Sequence, residues 1–191
     1  GEAQKHLGDL QMAKAKLDAM LETQPLGNDP LAGEVPAFGI DRLEILLKAN
    51  PGEPARPLRK VASGGELSRT MLALKTVLAA HDPVRTLVVF DEIDANVGGR
   101  LGDVLGQKLA GLGRTHQVLC VTHLPQVAGY ATSHWTIRKQ ATDKRTVTTI
   151  LPLTTDVERV EELALMLRGE SRSDTTRKEA AEMLRAAQKS K

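Results

Sequence analysis

The sequence predicts an α/β fold, with buried parallel strands flanked by helices, and three observations carry that reading. Residues 85–90 (RTLVVF) and 117–122 (QVLCVT) are apolar runs of the kind found in strands buried on both faces. Between them, residues 98–112 carry Leu101, Leu105, Leu109 and Leu112 at helical spacing. Strand, helix and strand joined by short connections form a right-handed parallel βαβ unit. Composition agrees. Hydrophobic residues make up 41% of the 191 residues but aromatics only 2%, so the core must be built from Leu, Val, Ile, Ala and Met. That suits helices packed on a sheet better than a β-sandwich.

The other elements follow in chain order. Residues 1–24 mix helical spacing (Leu7, Leu10, Ala13, Leu17) with alternation (Leu17, Ala19, Leu21), which predicts a helix to about Gln11 and a strand over 15–23. Residues 24–39 hold three prolines and three glycines and read as a long loop or flap. Residues 40–49 (IDRLEILLKA) form a strand, and 50–57 (NPGEPARP) a rigid connector, since each proline biases its predecessor to extended geometry. Ser63 opens a helix with Leu67, Met71, Leu74 and Leu78 on one face. Residues 134–140 and 145–151 flank Ala141-Thr142-Asp143-Lys144 as a hairpin. Thr155 with Glu158 makes a capping box for a helix that runs to Arg168 and stops at Gly169. Thr176 with Glu179 does the same for a last helix. The chain thus divides into an N-terminal β portion (1–58), a core with an edge hairpin (59–151) and two terminal helices (152–191).

Bulk charge excludes little. Lys plus Arg exceeds Asp plus Glu by 26 − 24, a net +2, too weak to announce nucleic-acid binding. The single cysteine, Cys120, lies in an apolar run and reads as a small core residue; it fits a reducing compartment. No run approaches a membrane span, no signal peptide is visible, and a cytoplasmic protein with no membrane partner is expected. His6, His81, His116 and His134 show no metal-ligand spacing.

In open α/β sheets, ligands bind at the carboxyl ends of the strands. The first buried run ends at Asp91-Glu92. Asp91 is placed to hold Mg²⁺ through water, and Glu92, pointing the other way, to orient and deprotonate an attacking water. A strand that simply ends at two solvated acids would look the same. The second run ends at Thr122-His123, where a structural histidine is the bland alternative. Ser63-Gly64-Gly65-Glu66 is a capping box in outline, yet paired glycines at a helix N-terminus also leave amides bare for phosphate. Double glycine costs backbone entropy unless something must approach closely.

Together these segments carry a family resemblance. Ser63-Gly64-Gly65-Glu66 resembles the signature motif of ABC-type ATPases, Phe90-Asp91-Glu92-Ile93-Asp94 their Walker B and D-loop, and Thr122-His123 their switch histidine. The longer strings at 60–69 (KVASGGELSR), 90–100 (FDEIDANVGGR) and 121–128 (VTHLPQVA) are similar to the bacterial DNA-repair branch of the SMC-like ATPases. The resemblance extends through 50–58 to the terminal helices and is weakest across 1–38. Ala62, Leu67-Ser68-Arg69 and residues 94–99 (DANVGG) favour that branch over chromosome-organising heads. Glu66 and Ile93 stand where a membrane transporter's ATPase usually carries glutamine and proline.

The resemblance implies the C-terminal half of an ABC-type (P-loop NTPase) head that dimerises around ATP and Mg²⁺. Ser63, Gly64, Gly65 and Glu66 then serve nucleotide in trans, and Asp91, Glu92 and His123 in cis. Asp94 and Asn96 lie near the dimer seam. No G-x-x-x-x-G-K-[ST] loop occurs, so the phosphate-cradling Walker A must come from another segment, and the chain alone should be inactive. The resemblance places that loop in an N-terminal segment beyond a long coiled coil, so the chain is expected to be the C-terminal part of a longer protein, with exposed apolar surface where the other lobe docks. DNA is expected as a partner of the whole protein, which would be nucleoid-associated. A dimerisation and DNA-docking module without turnover is the other reading. Its contacts would come from Arg56, Arg59, Lys60 and Arg69, or from Lys178, Arg185, Lys189 and Lys191.

Overall fold

A computed structural model describes residues 1–191 except 24–38, 62, 80, 82–83, 143–144, 171–172 and 191. Most of the predicted flap, the tip of the hairpin and Lys191 therefore lie outside the described residues.

Helix α1 (Glu2–Asp9) ends where Gln11 takes a left-handed conformation (φ 58°), which lets Met12 N–H reach back to the Leu7 carbonyl. Leu7, Leu10, Met12 and Ala15 are thereby buried together. Strands β1 (Lys16–Thr23) and β2 (Asp41–Lys48) pair antiparallel with Lys16 opposite Lys48 and Thr23 opposite Asp41. Only the end nearest α1 reaches the core, through Leu17 and Leu47, and Leu21 and Leu43 at the far end are exposed. The connector at 50–57 contributes a two-residue strand, β3 (Arg56–Pro57), on the free edge of β2, followed by a 3-10 turn over Leu58–Lys60. Reading 50–57 as connector alone missed this short pairing.

The core unit is α2 (Gly64–Leu78), β4 (Leu87–Phe90), α3 (Gly99–Leu112) and β5 (Gln117–Cys120). β4 and β5 pair in parallel, Leu87 opposite Gln117 and Phe90 opposite Cys120, with α3 as the crossover. Leu72, Phe90, Ile93, Leu101 and Leu105 form its centre. The expectation of strands buried on both faces is corrected. Val88, Phe90, Val118 and Cys120 pack inward, whereas Leu87 (58%), Val89 (56%), Leu119 (53%) and Val121 (48%) are exposed. The described helices cover one face of the sheet only, and an apolar run reports that a strand prefers burial without saying what buries it.

Helix α4 (Pro125–Ala128), which had no periodic signal of its own, follows β5. It packs on α3, where Gly102 and Gly106 are buried. A Cβ at Gly106 would stand 2.3 Å from the Tyr130 ring, so glycine is what lets that ring lie against the helix. Strands β6 (His134–Thr142) and β7 (Arg145–Leu153) form the hairpin. Its inner face meets α5 (Asp156–Arg168), where Glu162 accepts hydrogen bonds from Thr136 Oγ1 (2.9 Å) and from the Arg138 guanidinium. Its outer face leaves Trp135, Ile137 and Ile150 bare.

The box at Thr155 and Glu158 forms as expected, and α5 ends at Gly169 (φ 63°). The last helix starts earlier than predicted. α6 spans Asp174–Lys189 with Ser173 as N-cap, its hydroxyl accepting from Thr176 N–H. Thr176 is already inside the first turn and buried, so Thr176 and Glu179 are not the box; two adjacent capping-competent residues made the start ambiguous. Leu163, Ala164, Ala180 and Leu184 join α5 to α6 in a second cluster.

Two outcomes test this packing. Gly106→Ala should destabilise the chain by about 1–3 kcal/mol through overpacking, outweighing the ~1 kcal/mol that alanine gains in helix propensity; an unchanged denaturant midpoint would refute the ring contact. Burial raises the Glu162 pKa, but hydrogen bonds from Arg138 and Thr136 outweigh it and hold the group below the ordinary glutamate value. Its stabilisation is therefore complete at neutral pH and is lost as pH falls through the depressed folded value. The gap in unfolding free energy between wild type and Glu162→Gln should shrink on acidification below the ordinary glutamate range.

Candidate nucleotide-hydrolysis site

The candidate site gathers where β4 and β5 end. After Phe90 the chain makes a tight turn over 91–96, with Ala95 N–H bonded to the Glu92 carbonyl (3.0 Å) and Val97 N–H to the Asp94 carbonyl (3.1 Å). Glu92 (φ 55°) and Asn96 (φ 60°) are both left-handed in it. Asparagine tolerates that region, whereas glutamate there is strained by about 1–2 kcal/mol, the kind of cost that persists where function holds it.

Helix α2 holds the turn in place. Ser68 Oγ donates to the Asp91 carbonyl (2.9 Å), and Arg69 Nη1 donates to the carbonyls of Ile93 (3.4 Å) and Ala95 (3.3 Å). Burial lowers the Arg69 pKa from its ordinary value, opposed by nearby Glu66. At the start of α2, Ser63 Oγ accepts from Glu66 N–H (3.4 Å), which is one half of the predicted capping box. Gly65 is buried beneath Ala95, and a Cβ there would stand 3.2 Å from the Ala95 methyl. A Cβ on Gly64 would stand 2.7 Å from Glu92 Oε2. Gly65 therefore has a structural reason, since the turn lies directly against it, whereas at Gly64 the neighbour is the movable end of the Glu92 side chain.

The two acids after β4 differ in setting from the third. Asp91 and Glu92 are exposed, and Asp91 Oδ1 accepts from Glu92 N–H (2.9 Å). Asp94 is only 3% exposed and turns inward. Its Oδ2 accepts from Thr122 Oγ1 (2.5 Å), His123 N–H (2.8 Å) and His123 Nδ1 (3.0 Å). The His123 ring is otherwise open, with 71% of its side chain exposed. Asn96 is exposed at the end of the turn. Cys120 sits half-buried beneath these groups, and burial, with Asp94 and Asp91 nearby, pushes its thiol up to about 12. It is a neutral packing residue, as expected.

Of the predicted residues, the structure thus brings together Gly64 with Glu92, Ser63 with Glu66, and Asp94 with His123. Sequence reasoning missed the roles of Ser68 and Arg69 as clamps. The signal was available: they stand four residues after Gly64 and Gly65, on the same helix face. Of the basic residues considered for DNA, Arg69 is committed to the turn and Arg59 to Glu44 (2.9 Å).

Mg²⁺ asks little of a protein, one or two carboxylates with water and substrate phosphates completing the octahedron. Among the described residues no group of three or more acidic, histidine or cysteine side chains could cage a metal. The exposed Asp91 suits an ion shared with phosphates, not a protein-enclosed one.

The fold is that of part of an Smc-type head domain. A solved Smc head domain with a coiled coil and joint from Pyrococcus yayanosii matches with a TM-score of 0.52 at 20% identity, over 85% of this chain and 28% of that one. No family model matches the chain. Comparison with curated proteins is more specific: over most of its length the chain is a homologue of the DNA repair protein RecN. It is 46% identical to that of Treponema pallidum over 78% of this chain and 26% of the relative. It is 38% identical to that of Bacillus subtilis over 97% of this chain and 33% of the relative. The chain thus spans about a quarter to a third of the curated relatives it matches.

Removing the clamp should loosen the turn. Arg69→Ala is expected to cost about 1–3 kcal/mol, with buried carbonyls left unpaired. Arg69→Lys should not restore it, because a single ammonium does not reproduce the guanidinium fork. Chemical denaturation of both variants checks this, and full rescue by lysine would remove the case for a directional clamp.

Proposed function

We propose that this chain supplies the signature, Walker B and switch-histidine part of an ATP-hydrolysing head, and that the head acts in DNA double-strand break repair and recombination. The observation that carries the reading is the junction beyond β4 and β5. There an exposed Asp91, an anchored His123 and a strained Glu92, whose carboxylate lies against Gly64 at the start of α2, gather at one end of a parallel sheet. RecN relatives matching almost the whole chain support the biological setting.

In this reading Asp91 would hold Mg²⁺, which would supply charge neutralisation for phosphoryl transfer. Glu92 orients the attacking water and takes its proton. His123 contacts the phosphate leaving the nucleotide bound in its own head. The first-turn amides of α2, at Gly64 and Gly65, have no intrahelical acceptor and sit at the positive end of the helix dipole. With Ser63 they cap the γ-phosphate of nucleotide held by a second head, while Glu66 steadies that turn and Asn96 borders the seam. Phosphoryl transfer relies on such positioning and charge stabilisation.

The chain carries no phosphate-cradling Walker A loop, so turnover needs a partner segment. We assign that segment to the remainder of a longer RecN-like protein. Two apolar faces, Leu87, Val89, Leu119 and Val121 on the parallel sheet and Trp135, Ile137 and Ile150 on the hairpin, are where it buries surface. A homodimer of complete heads, association with DNA and a place at the nucleoid belong to that whole protein. No helix among the described residues is long and apolar enough to cross a membrane.

ATP turnover should be absent for this chain alone and appear on mixing with the Walker A segment of a RecN protein. Glu92→Gln in that mixture should lower the rate by about 10²–10⁴-fold, the usual worth of a positioned base. Turnover by the chain alone that ignores Glu92 would overturn the assignment.

A further inference from the structure

Asp94 has an environment that the hydrolysis reading leaves unexplained. It is a buried carboxylate whose ion-pair partner among the described residues is His123. Three donors converge on one oxygen: the Thr122 hydroxyl, the His123 amide and the His123 ring. Thr122 Oγ1 in turn accepts from Leu124 N–H (3.0 Å), which fixes the hydroxyl so that its proton points at Asp94. Burying a carboxylate is costly unless its lone pairs are satisfied, and here all the recorded donors come from the segment after β5. Asp94 is itself held, because the carbonyls on either side of it, those of Ile93 and Ala95, are gripped by Arg69.

An exposed imidazole normally rotates freely and exchanges its proton between two nitrogens. Which nitrogen carries the proton is set by the hydrogen bond the other makes. Oδ2 already accepts from the Thr122 hydroxyl and the His123 amide, so its 3.0 Å contact with the ring places the proton on Nδ1. We propose that Asp94 is the positioning residue for His123: it holds the ring in one orientation with the proton on Nδ1, so that Nε2 is the atom presented to the reacting phosphate. The assignment of a phosphate to Nε2 rests on the hydrolysis reading above; the tautomer and the anchoring do not. Through Arg69, the helix that begins at the signature residues also sets the orientation of the histidine, since Arg69 fixes the turn that carries Asp94. Asp94 acts through His123 and is not itself a catalytic residue.

The decisive measurement is the tautomer of His123 in the ¹⁵N-labelled chain, by long-range ¹H–¹⁵N correlation above the histidine titration range, assigned by the loss of its signals in His123→Gln. Wild type should show a protonated Nδ1 and a bare Nε2. Asp94→Ala should lose that preference, and Thr122→Val, which removes a neighbouring donor but keeps the ring contact, should retain it. A wild-type ring protonated on Nε2 overturns the proposal without any variant having to fold. So does an Asp94→Ala chain of native circular dichroism with an unchanged tautomer. In the mixture with the Walker A segment, Asp94→Ala and His123→Ala should each lower kcat by roughly 10²-fold with little change in KM. The double variant should be no worse than either single one, and additive losses would count against a shared action. If the tautomer behaves as stated but the mixture shows no turnover, the hydrolysis reading fails and the anchoring of His123 stands.

Discussion

The grip of α2 on the turn at 91–96 is the constraint on which the rest of the site depends. A chain leaving a parallel strand through two left-handed residues has no ladder to hold it, and its carbonyls need donors from elsewhere. Ser68 and Arg69 supply them, at 2.9 Å to Asp91 and 3.3–3.4 Å to Ala95 and Ile93. Gly65 lets the helix approach closely enough for those bonds to form. With the turn so fixed, Glu92 lies against Gly64, Asp94 faces inward, and His123 is anchored from below. Acid, histidine and helix N-terminus thereby become one mechanical unit, although they come from three separate stretches of chain.

The second constraint is that the parallel sheet is covered on one side. Parallel strands are stable when both faces are covered, yet among the described residues α1, α2 and α3 serve a single face. The result is a ribbon of Leu87, Val89, Leu119 and Val121 in water, and a hairpin whose outer face bears Trp135, Ile137 and Ile150. At about 25 cal/mol per Å² of apolar surface, such faces represent a substantial unrealised gain. That is consistent with a chain matching only 26–33% of the length of its relatives.

Much of this was legible in sequence. The strand–helix–strand unit could be read because apolar runs and helical spacing are local signals, and β4, α3 and β5 formed where those signals lay. The Thr155–Glu158 box formed because both partners sit within one turn. The reading failed where two local signals competed, as at Ser173 and Thr176, or where an element is too short to have a period, as with β3 and α4. In the site, the residues Ser63 to Glu66, Asp91, Glu92 and His123 were visible as motifs. Their mutual contacts were not, because Gly64 and Glu92 are far apart in sequence and meet only when α2 packs on the turn.

By itself the sequence determined which residues carry reactive groups and which segments seek burial, since both are properties of single residues and their near neighbours. Tertiary structure alone decided which carboxylate faces water and which is buried. Asp91, Glu92 and Asp94 are chemically alike in a run of four residues, and only the direction of the backbone turn, set by Arg69 from another helix, sends the first two outward and the third onto His123. It also decided which face of the sheet is bare, because alternation along a strand says that the two faces differ only when something packs on one of them.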